Sequence, residues 1–304
     1  MISGGSGFIG SALAKELSDE YSVTVLTTND SNVSTNADGR IKYVKWDPYS
    51  NDTTWYDSIN GAYAVVNLAG YSISNSWTDE NKSKIMESRV VSTRALVYAI
   101  LTAHEKPPIM VSASAVGFYG NTGDATVTEG TQRGKGFLSD VCSAWEAEAH
   151  KLDGVGTSLA ITRFGVVIGS GGGSLPEMIK PLKVRISITA GSGKQWVSWI
   201  HIDDLVSIIK LIIGGRHAGT FNLTSPKPAT NQELCDAASA ALGVKPLLKM
   251  PDFMLKLALG QKADELLFYS QRAVPTEVLK LGYRFKFERI IDAVSEALKS
   301  SKQT

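Results

Sequence analysis

The first ten residues constrain this chain more than any other segment. Met1-Ile2-Ser3 reads as a strand end and runs into Gly4-Gly5-Ser6-Gly7-Phe8-Ile9-Gly10. Gly4, Gly7 and Gly10 stand in a G-x-x-G-x-x-G spacing, and the amphipathic helical pattern Ser11-Ala-Leu-Ala-Lys-Glu-Leu17 follows. Tyr21-Ser-Val-Thr-Val-Leu26 then reads as a second buried strand, which completes a βαβ unit. In such a unit the first glycine permits a tight strand-to-helix turn. The second lets a pyrophosphate approach the backbone, and the third lets the helix pack closely on the strand. The anion then rests on unpaired N–H groups at the positive end of the helix. The spacing therefore predicts a nucleotide-binding turn built from Gly4, Ser6, Gly7, Phe8, Ile9 and Gly10, against the plainer alternative of a tight turn in an α/β core. Only three residues precede the glycines. The first strand is thus short, or residues are missing at its start.

The end of the second strand bears on which nucleotide. A carboxylate there would grip the adenosine ribose 2′-hydroxyl and favour NAD. Here the strand ends Leu26-Thr27-Thr28-Asn29, and the first carboxylate is Asp30. Hydroxyls and an amide tolerate a 2′-phosphate that a carboxylate would repel. NADP is therefore expected ahead of NAD, with Thr27 and Thr28 facing the ribose, although no arginine stands beside Thr28. The competing reading makes 27–29 a plain polar strand end.

Composition narrows the class. With 304 residues, 43% of them hydrophobic and 20% charged, the chain can bury a sizeable core in one large domain or in a domain plus subdomain. A net charge of +1 gives no reason to expect a nucleic-acid or membrane partner. No apolar run is long enough to span a bilayer, and no signal pattern opens the chain. Two cysteines, Cys142 and Cys235, are too few for a disulfide framework, so a reducing, cytoplasmic setting is expected, or an organelle if a transit peptide has been removed. His104, His150, His201 and His217 are too scattered for a zinc site, and no metal is expected. Neither a hydrolase G-x-S-x-G elbow nor a P-loop occurs.

Strand-like and helical stretches alternate through the first half. Strands are expected at 41–46, 62–69, 109–113 and 158–163, with helices at 78–103 and around 139–152 and a polar, mobile loop at 29–39. The long helix offers Ile85, Leu96, Ile100 and Leu101 to the core. Such alternation implies an α/β fold, a Rossmann doubly wound parallel sheet, with a smaller, mainly helical C-terminal substrate region. After Gly169 the flexible run Ser170-Gly-Gly-Gly-Ser174 breaks the pattern. Trp196 to Leu205 reads as a strand turning into a helix at Asp203, and 218–223 as another strand. Helices are expected at 231–242, 251–259, 262–270, 275–281 and 288–299. The division expected is a nucleotide-binding domain at 1–165, rejoined by segments around 196–223, and a substrate-binding and helical region at 166–304.

At this point the residues match a family. Ser3-Gly-Gly-Ser-Gly-Phe-Ile-Gly10, Asn67-Leu-Ala-Gly70, Arg163-Phe-Gly-Val-Val-Ile-Gly169 and His201-Ile-Asp-Asp204 resemble the extended short-chain dehydrogenase/reductase superfamily. More narrowly, several stretches resemble its atypical NAD-dependent epimerase/dehydratase branch of the SDR39U1 type, which carries a C-terminal helical module. They are Glu87-Ser-Arg-Val-Val-Ser-Thr-Arg94, Ser112-Ala-Ser-Ala-Val-Gly-Phe-Tyr-Gly120, the tryptophan-rich 191–205, and Ala263-Asp-Glu-Leu-Leu267 with Gln271-Arg-Ala-Val-Pro275. The resemblance spans nearly the whole chain. It implies that Leu68, Ala69 and Gly70 line the cofactor through their backbone. Ser112, Ala113 and Ser114 would flank the nicotinamide, and residues 164–167, Val167 included, would close over it. Lys84 and Arg89, on the long helix, would meet a phosphate or ribose. Spacing alone reads both as a solvated helix face.

The sequence also departs from the superfamily. Active members use a Tyr-x-x-x-Lys pair in which the lysine lowers the tyrosine pKa for proton transfer. Aligned on Trp145-Glu146, those two positions hold Leu138 and Cys142, and neither serves that role. Ser112, Ser114 or Tyr119 could substitute, and Ser114 and Tyr119 are the candidate catalytic residues; Tyr119 reads equally well as a packing residue. Cys142 reads as a small hydrophobe, His201 as a structural histidine, and Trp196 and Trp199 as pocket wall or core. Two functions stay open: an NADP-dependent oxidoreductase or epimerase acting on a small molecule, and a catalytically silent dinucleotide-binding sensor or scaffold. Oligomeric state and substrate are not legible.

Overall fold

The computed structural model describes residues 1–29, 39–187 and 189–300. Most of the polar loop expected at 29–39, Asp30 included, lies outside the described residues. Seven parallel strands form the central sheet: β1 (Ile2–Ser3), β2 (Val23–Thr27), β3 (Ile41–Lys45), β4 (Val65–Asn67), β5 (Ile109–Ala115), β6 (Ser158–Phe164) and, late in the chain, Gly219–Leu223. Two further strands, β7 (Val166–Ile168) and β8 (Trp199–His201), pair parallel with each other beside it; Gly219–Leu223 is therefore β9. The order is β9-β6-β5-β4-β1-β2-β3, so the chain reverses direction between β1 and β4. That reversal opens a crevice at the carboxyl ends of the strands.

Alternate residues of each strand feed two cores. Val23 and Val25, Ile109 and Val111, and Ala160 face α1 (Phe8–Leu17) and the apolar α5 (Ile202–Gly215). Leu26, Met110, Leu159 and Ile161 face α2 (Asp79–Thr102) and α3 (Phe137–Ala149). A sheet covered on both faces explains why its strands read as near-continuous apolar runs. The helix α1 buries Gly10, Leu13, Ala14 and Leu17, one face at helical spacing. The Thr78 hydroxyl accepts from the Asn81 N–H and caps α2, whose core face holds Ile85, Leu96 and Ile100; Leu101 points outward, one residue off the stripe.

The expected fourth strand at 62–69 shortens to Val65–Asn67, because Ala62 is held in a turn on Ile59 and Leu68 already leads into the crevice. The C-terminal region packs α4 (Leu175–Lys183), α6 (Asn231–Leu242) and α10 (Ile290–Ser300) around Leu182, Trp199, Leu234, Val294 and Leu298. α6 carries a Thr230–Glu233 capping box and stops at left-handed Gly243. Between α6 and α10 lie α7 (Asp252–Leu259), α8 (Gln261–Ala263) and α9 (Thr276–Lys280). The helix expected at 262–270 is α8 continuing into a π turn, Asp264–Phe268.

Two side chains tie late segments to the sheet. Asp204, fully buried in α5, accepts from Tyr283 Oη at 2.8 Å, Lys286 N at 2.8 Å and Phe287 N at 3.0 Å. Buried His201 sits between Glu296, 2.9 Å from Nε2, and the Asp203 N–H, with its ring over Phe287. Those contacts are structural, as the sequence reading of His201 expected.

Candidate functional site

The glycine turn joins β1 to α1. Gly4 lies at φ +70°, and a Cβ there would come within 2.7 Å of the Leu68 carbonyl carbon and oxygen. The backbone of β4's exit thus rests on the turn. Gly7 is the N-cap of α1, no side chain caps that end, and no acidic residue stands in its first turn. The first N–H groups of a helix have no intrahelical partners, and the macrodipole makes that end positive. The α1 N-terminus therefore presents donors and no competing negative charge.

The turn before it borders a cleft of about 360 Å³ lined by Gly4, Ser6, Leu26, Thr27, Thr28, Trp46, Pro48, Tyr49, Ala69, Gly70, Tyr71, Lys84, Ser88 and Ser92; Gly7, Phe8, Ile9 and Gly10 do not line it. Seven residues chosen from sequence line it: Gly4, Ser6, Thr27, Thr28, Ala69, Gly70 and Lys84. The carboxyl end of β3 adds Trp46, Pro48 and Tyr49, and α2 adds Ser88 and Ser92. These were missed. The strand-end rule applied to β3, and the i, i+4, i+8 spacing of Lys84, Ser88 and Ser92, would have found them.

Around the cleft a buried chain of hydrogen bonds fixes the geometry. Ser3 Oγ donates to Asn67 Oδ1 at 2.8 Å, Asn67 Nδ2 donates to Thr93 Oγ1 at 2.8 Å, and Thr93 Oγ1 donates to the Arg89 carbonyl at 2.6 Å. Asn67 and Thr93 were quoted only within motifs. Their role needed the strand register, which sets Ser3 opposite Asn67.

The two cations differ. Lys84 is exposed and its amine donates to Glu80 at 2.5 Å. Arg89 is half-buried and lies against Gly70, where a Cβ would meet its Cζ at 3.0 Å. Its Nη1 donates to the Tyr71 and Ile85 carbonyls at 3.0 and 2.9 Å, and its Cζ stands 5.2 Å from the Trp145 ring centroid. No carboxylate among the described residues pairs with it, and burial pushes its pKa down from the ordinary arginine value. A desolvated cation without a counter-ion, beside an open cleft, is the arrangement an anionic ligand completes. The solvated-face reading is corrected for Arg89 by this packing; Lys84 is solvated and also lines the cleft.

Beneath the nicotinamide end expected from the sequence, side chains are committed inward. Ser114 Oγ donates to Glu146 Oε1 at 2.6 Å, and Glu146 binds the Arg163 guanidinium through 2.9 and 2.8 Å contacts. Tyr119 Oη donates to Asn222 Oδ1 at 2.7 Å and accepts from Arg163 Nη1 at 3.0 Å. Burial raises its phenol pKa, with Arg163 opposing. Tyr119 is a buried packing residue here rather than an acid facing the cleft, because the helical turn 116–119 rolls it under the sheet end toward β9. Ser112 Oγ is buried with no hydrogen-bond partner among the described residues, and Ala113 is buried in β5.

Leu138 packs against Gly117, and the Cys142 thiol lies 3.7 Å from the Ala115 carbonyl oxygen. Burial pushes that thiol up to about 11. Phe8 is covered by the glycine run, since a Cβ on Gly172 would lie 2.4 Å from its ring. Ile9 packs on the core, and Val167 is buried in β7. Trp199 is core, while Trp196 is half-exposed with Arg272 4.4 Å over its ring. Among the described residues no cluster of His, Cys, Asp and Glu could hold a metal ion, and no helix is long and apolar enough to cross a membrane.

The sheet order and the glycine turn at its reversal define a Rossmann-fold α/β protein with a helical C-terminal region. The chain belongs to the NAD dependent epimerase/dehydratase family, whose model matches residues 1–223; residues 250–297 match a domain of unknown function, DUF1731. It is 35% identical over 300 residues to the chloroplastic epimerase family protein SDR39U1 homolog of Arabidopsis thaliana, covering 96% of this chain and 84% of that one. It is 36% identical over 304 residues to epimerase family protein SH2119 of Staphylococcus haemolyticus, covering 96% and 99%. The crystal structure of human epimerase family protein SDR39U1 (isoform 2) with NADPH superposes with a TM-score of 0.86 at 29% identity, covering 98% of both chains.

Proposed function

We propose that this chain binds NADP(H) in the cleft behind the glycine turn and acts as an oxidoreductase or epimerase on a small molecule. One observation carries the reading: the turn into an uncapped, carboxylate-free α1 N-terminus lines, through Gly4 and Ser6, the same cleft as Thr27 and Thr28. The fit extends to the Ser112 hydroxyl and the Arg89 guanidinium, which find no hydrogen-bond partner and no carboxylate, respectively, among the described residues. The human relative solved with NADPH supports the same cofactor.

In this reading Gly4, Ser6, Gly7, Phe8, Ile9 and Gly10 hold the pyrophosphate. Thr27 and Thr28 accept the 2′-phosphate, and Leu68 to Gly70 line the ribose. Arg89 neutralises phosphate charge, with Lys84 nearer solvent. Ser112, Ala113 and Val167 flank the nicotinamide. NADPH, when bound, supplies the reducing equivalent. Residues 1–165 with 196–223 form the nucleotide part, and the rest of 166–304 shapes the substrate side. Ser114 Oγ–H donates a hydrogen bond to Glu146, which leaves its oxygen lone pairs to accept from a substrate hydroxyl at the end of β5.

Fluorescence titration tests the cofactor. NADPH is expected to bind at least about tenfold more tightly than NADH, since a hydroxyl hydrogen bond to a charged phosphate is worth about 1.5–3 kcal/mol. Equal affinities, or no binding, remove the assignment. A second reading, a silent dinucleotide-binding sensor, is favoured by the Leu138/Cys142 replacement and by the occupied Tyr119 hydroxyl. Screening carbonyl and sugar-nucleotide substrates separates the two: turnover that Ser114→Ala abolishes supports the enzyme, and NADPH binding with no turnover on any supports the sensor.

A further inference from the structure

One face of the C-terminal region is apolar, basic and unpartnered. The helix α7 buries only Leu255 among its eight residues. Phe253 is 69% exposed and Leu257 86%, with Met254 beside them. The adjoining ribbon pairs Ile186 with Leu248 and leaves Val184, Leu247 and Leu248 each about two-thirds exposed. Met250-Pro251 leads from ribbon into helix, and the Gly191 N–H donates to Asp252 Oδ1 at 2.8 Å, which holds the two together. Patches this apolar are uncommon on a soluble chain and mark an interaction surface.

Around it basic side chains without an acidic partner outnumber free acids. Lys183, Arg185 and Lys245 are exposed and pair with no carboxylate among the described residues. Two nearby acids are ion-paired, Asp264 with Lys256 at 3.1 Å and Glu177 with Lys180 at 2.5 Å, which leaves Asp252, bonded to the Gly191 N–H, as one negative charge against the three cations. Arg185 adopts φ +59°, a left-handed conformation that is strained for a residue with a Cβ. The chain's net charge of +1 conceals this local excess.

We propose that this face lies on an anionic lipid surface, with Phe253, Leu257 and Leu248 in the headgroup boundary and Lys183, Arg185 and Lys245 on the lipid phosphates. A second copy is the poorer occupant. A two-fold contact sets the same patch against itself, which would bring the three unpaired cations face to face. The apolar side chains of helix and ribbon are also largely exposed, Leu257 at 86% and Phe253 at 69%, which suits insertion into a soft boundary. Apolar side chains ringed by lysine and arginine are the composition of surface-lying membrane elements.

The test floats the full chain with vesicles of phosphatidylcholine, with or without phosphatidylglycerol. Binding is expected only to the phosphatidylglycerol vesicles, weakened by high salt. Leu257→Asp and the double variant Lys183→Glu/Arg185→Glu should each reduce it by about tenfold or more. NADPH binding and melting temperature, unchanged in both variants, show that the fold is intact. The proposal is overturned by absence of binding to anionic vesicles, or by binding that Leu257→Asp leaves unchanged. It is equally overturned by a dimer in light scattering that Leu257→Asp disperses, which would make a second copy the occupant.

Discussion

At the scale of single residues, Gly4 and Arg89 differ in how they serve the cleft. Gly4 combines positive φ with a Cβ position inside van der Waals contact of Leu68. Gly4→Ala should therefore displace the turn and weaken NADPH binding by more than about tenfold, while Gly130→Ala, in open space and without a positive φ, should not. Arg89→Met keeps the packing on Trp145 and removes the charge, so affinity should fall by about tenfold with little change in melting temperature; an unchanged Kd would assign Arg89 to structure alone. Glu146→Ala behaves differently again. It leaves the Arg163 charge buried without its carboxylate, an expected loss of about 3–5 kcal/mol in urea unfolding. Cys142 gives a pH signature. Its thiol titrates near 11 in the fold and lower when unfolded, so the native state holds the proton longer. That contribution is complete below the unfolded value and lost as pH rises toward 11. Iodoacetamide at pH 8 should leave Cys142 unmodified in the native protein and alkylate it in urea.

At the scale of elements, the start of α3 shows how the C-terminal region reaches the candidate site. Glu265, from the π turn, accepts from Phe137 N at 2.9 Å and Leu138 N at 2.8 Å, and so caps α3 from 127 residues away. Gly136, at φ +120°, leaves room for that carboxylate, and a Cβ there would sit 3.1 Å from it. Glu265→Ala should cost about 1–2 kcal/mol, as loss of a helix cap with its dipole contribution does, and should loosen the segment that presents Leu138. Hydrogen exchange at residues 137–141 would report it; unchanged protection there would mean that α3 is held by packing alone. Sequence reading found α3 and the Ala263–Leu267 motif separately. It could not pair them, because nothing local in either says that a carboxylate fits the other's unsatisfied N–H groups.

At the scale of the whole molecule, the buried carboxylate of Asp204 fastens the last fifth of the chain to α5 through three hydrogen bonds. Asp204→Ala orphans two backbone donors and one phenol, so stability should fall by about 3 kcal/mol, and limited proteolysis should cut first between 283 and 290. Cleavage elsewhere would show that the C-terminal region is held by its apolar core instead. The sequence by itself determined the doubly wound sheet, the glycine turn and most helices, because alternating apolar runs and glycine spacing are local properties of the backbone. Thr27 and Thr28 were legible for the same reason, as strand ends next to that turn. Only the tertiary structure decided that Tyr119 turns into the interior, that Arg89 pairs with no carboxylate among the described residues, and that Trp46 and Ser88 wall the cleft. Each of those facts depends on which distant groups a side chain meets, and burial and pairing are set by the packing of elements far apart in the chain.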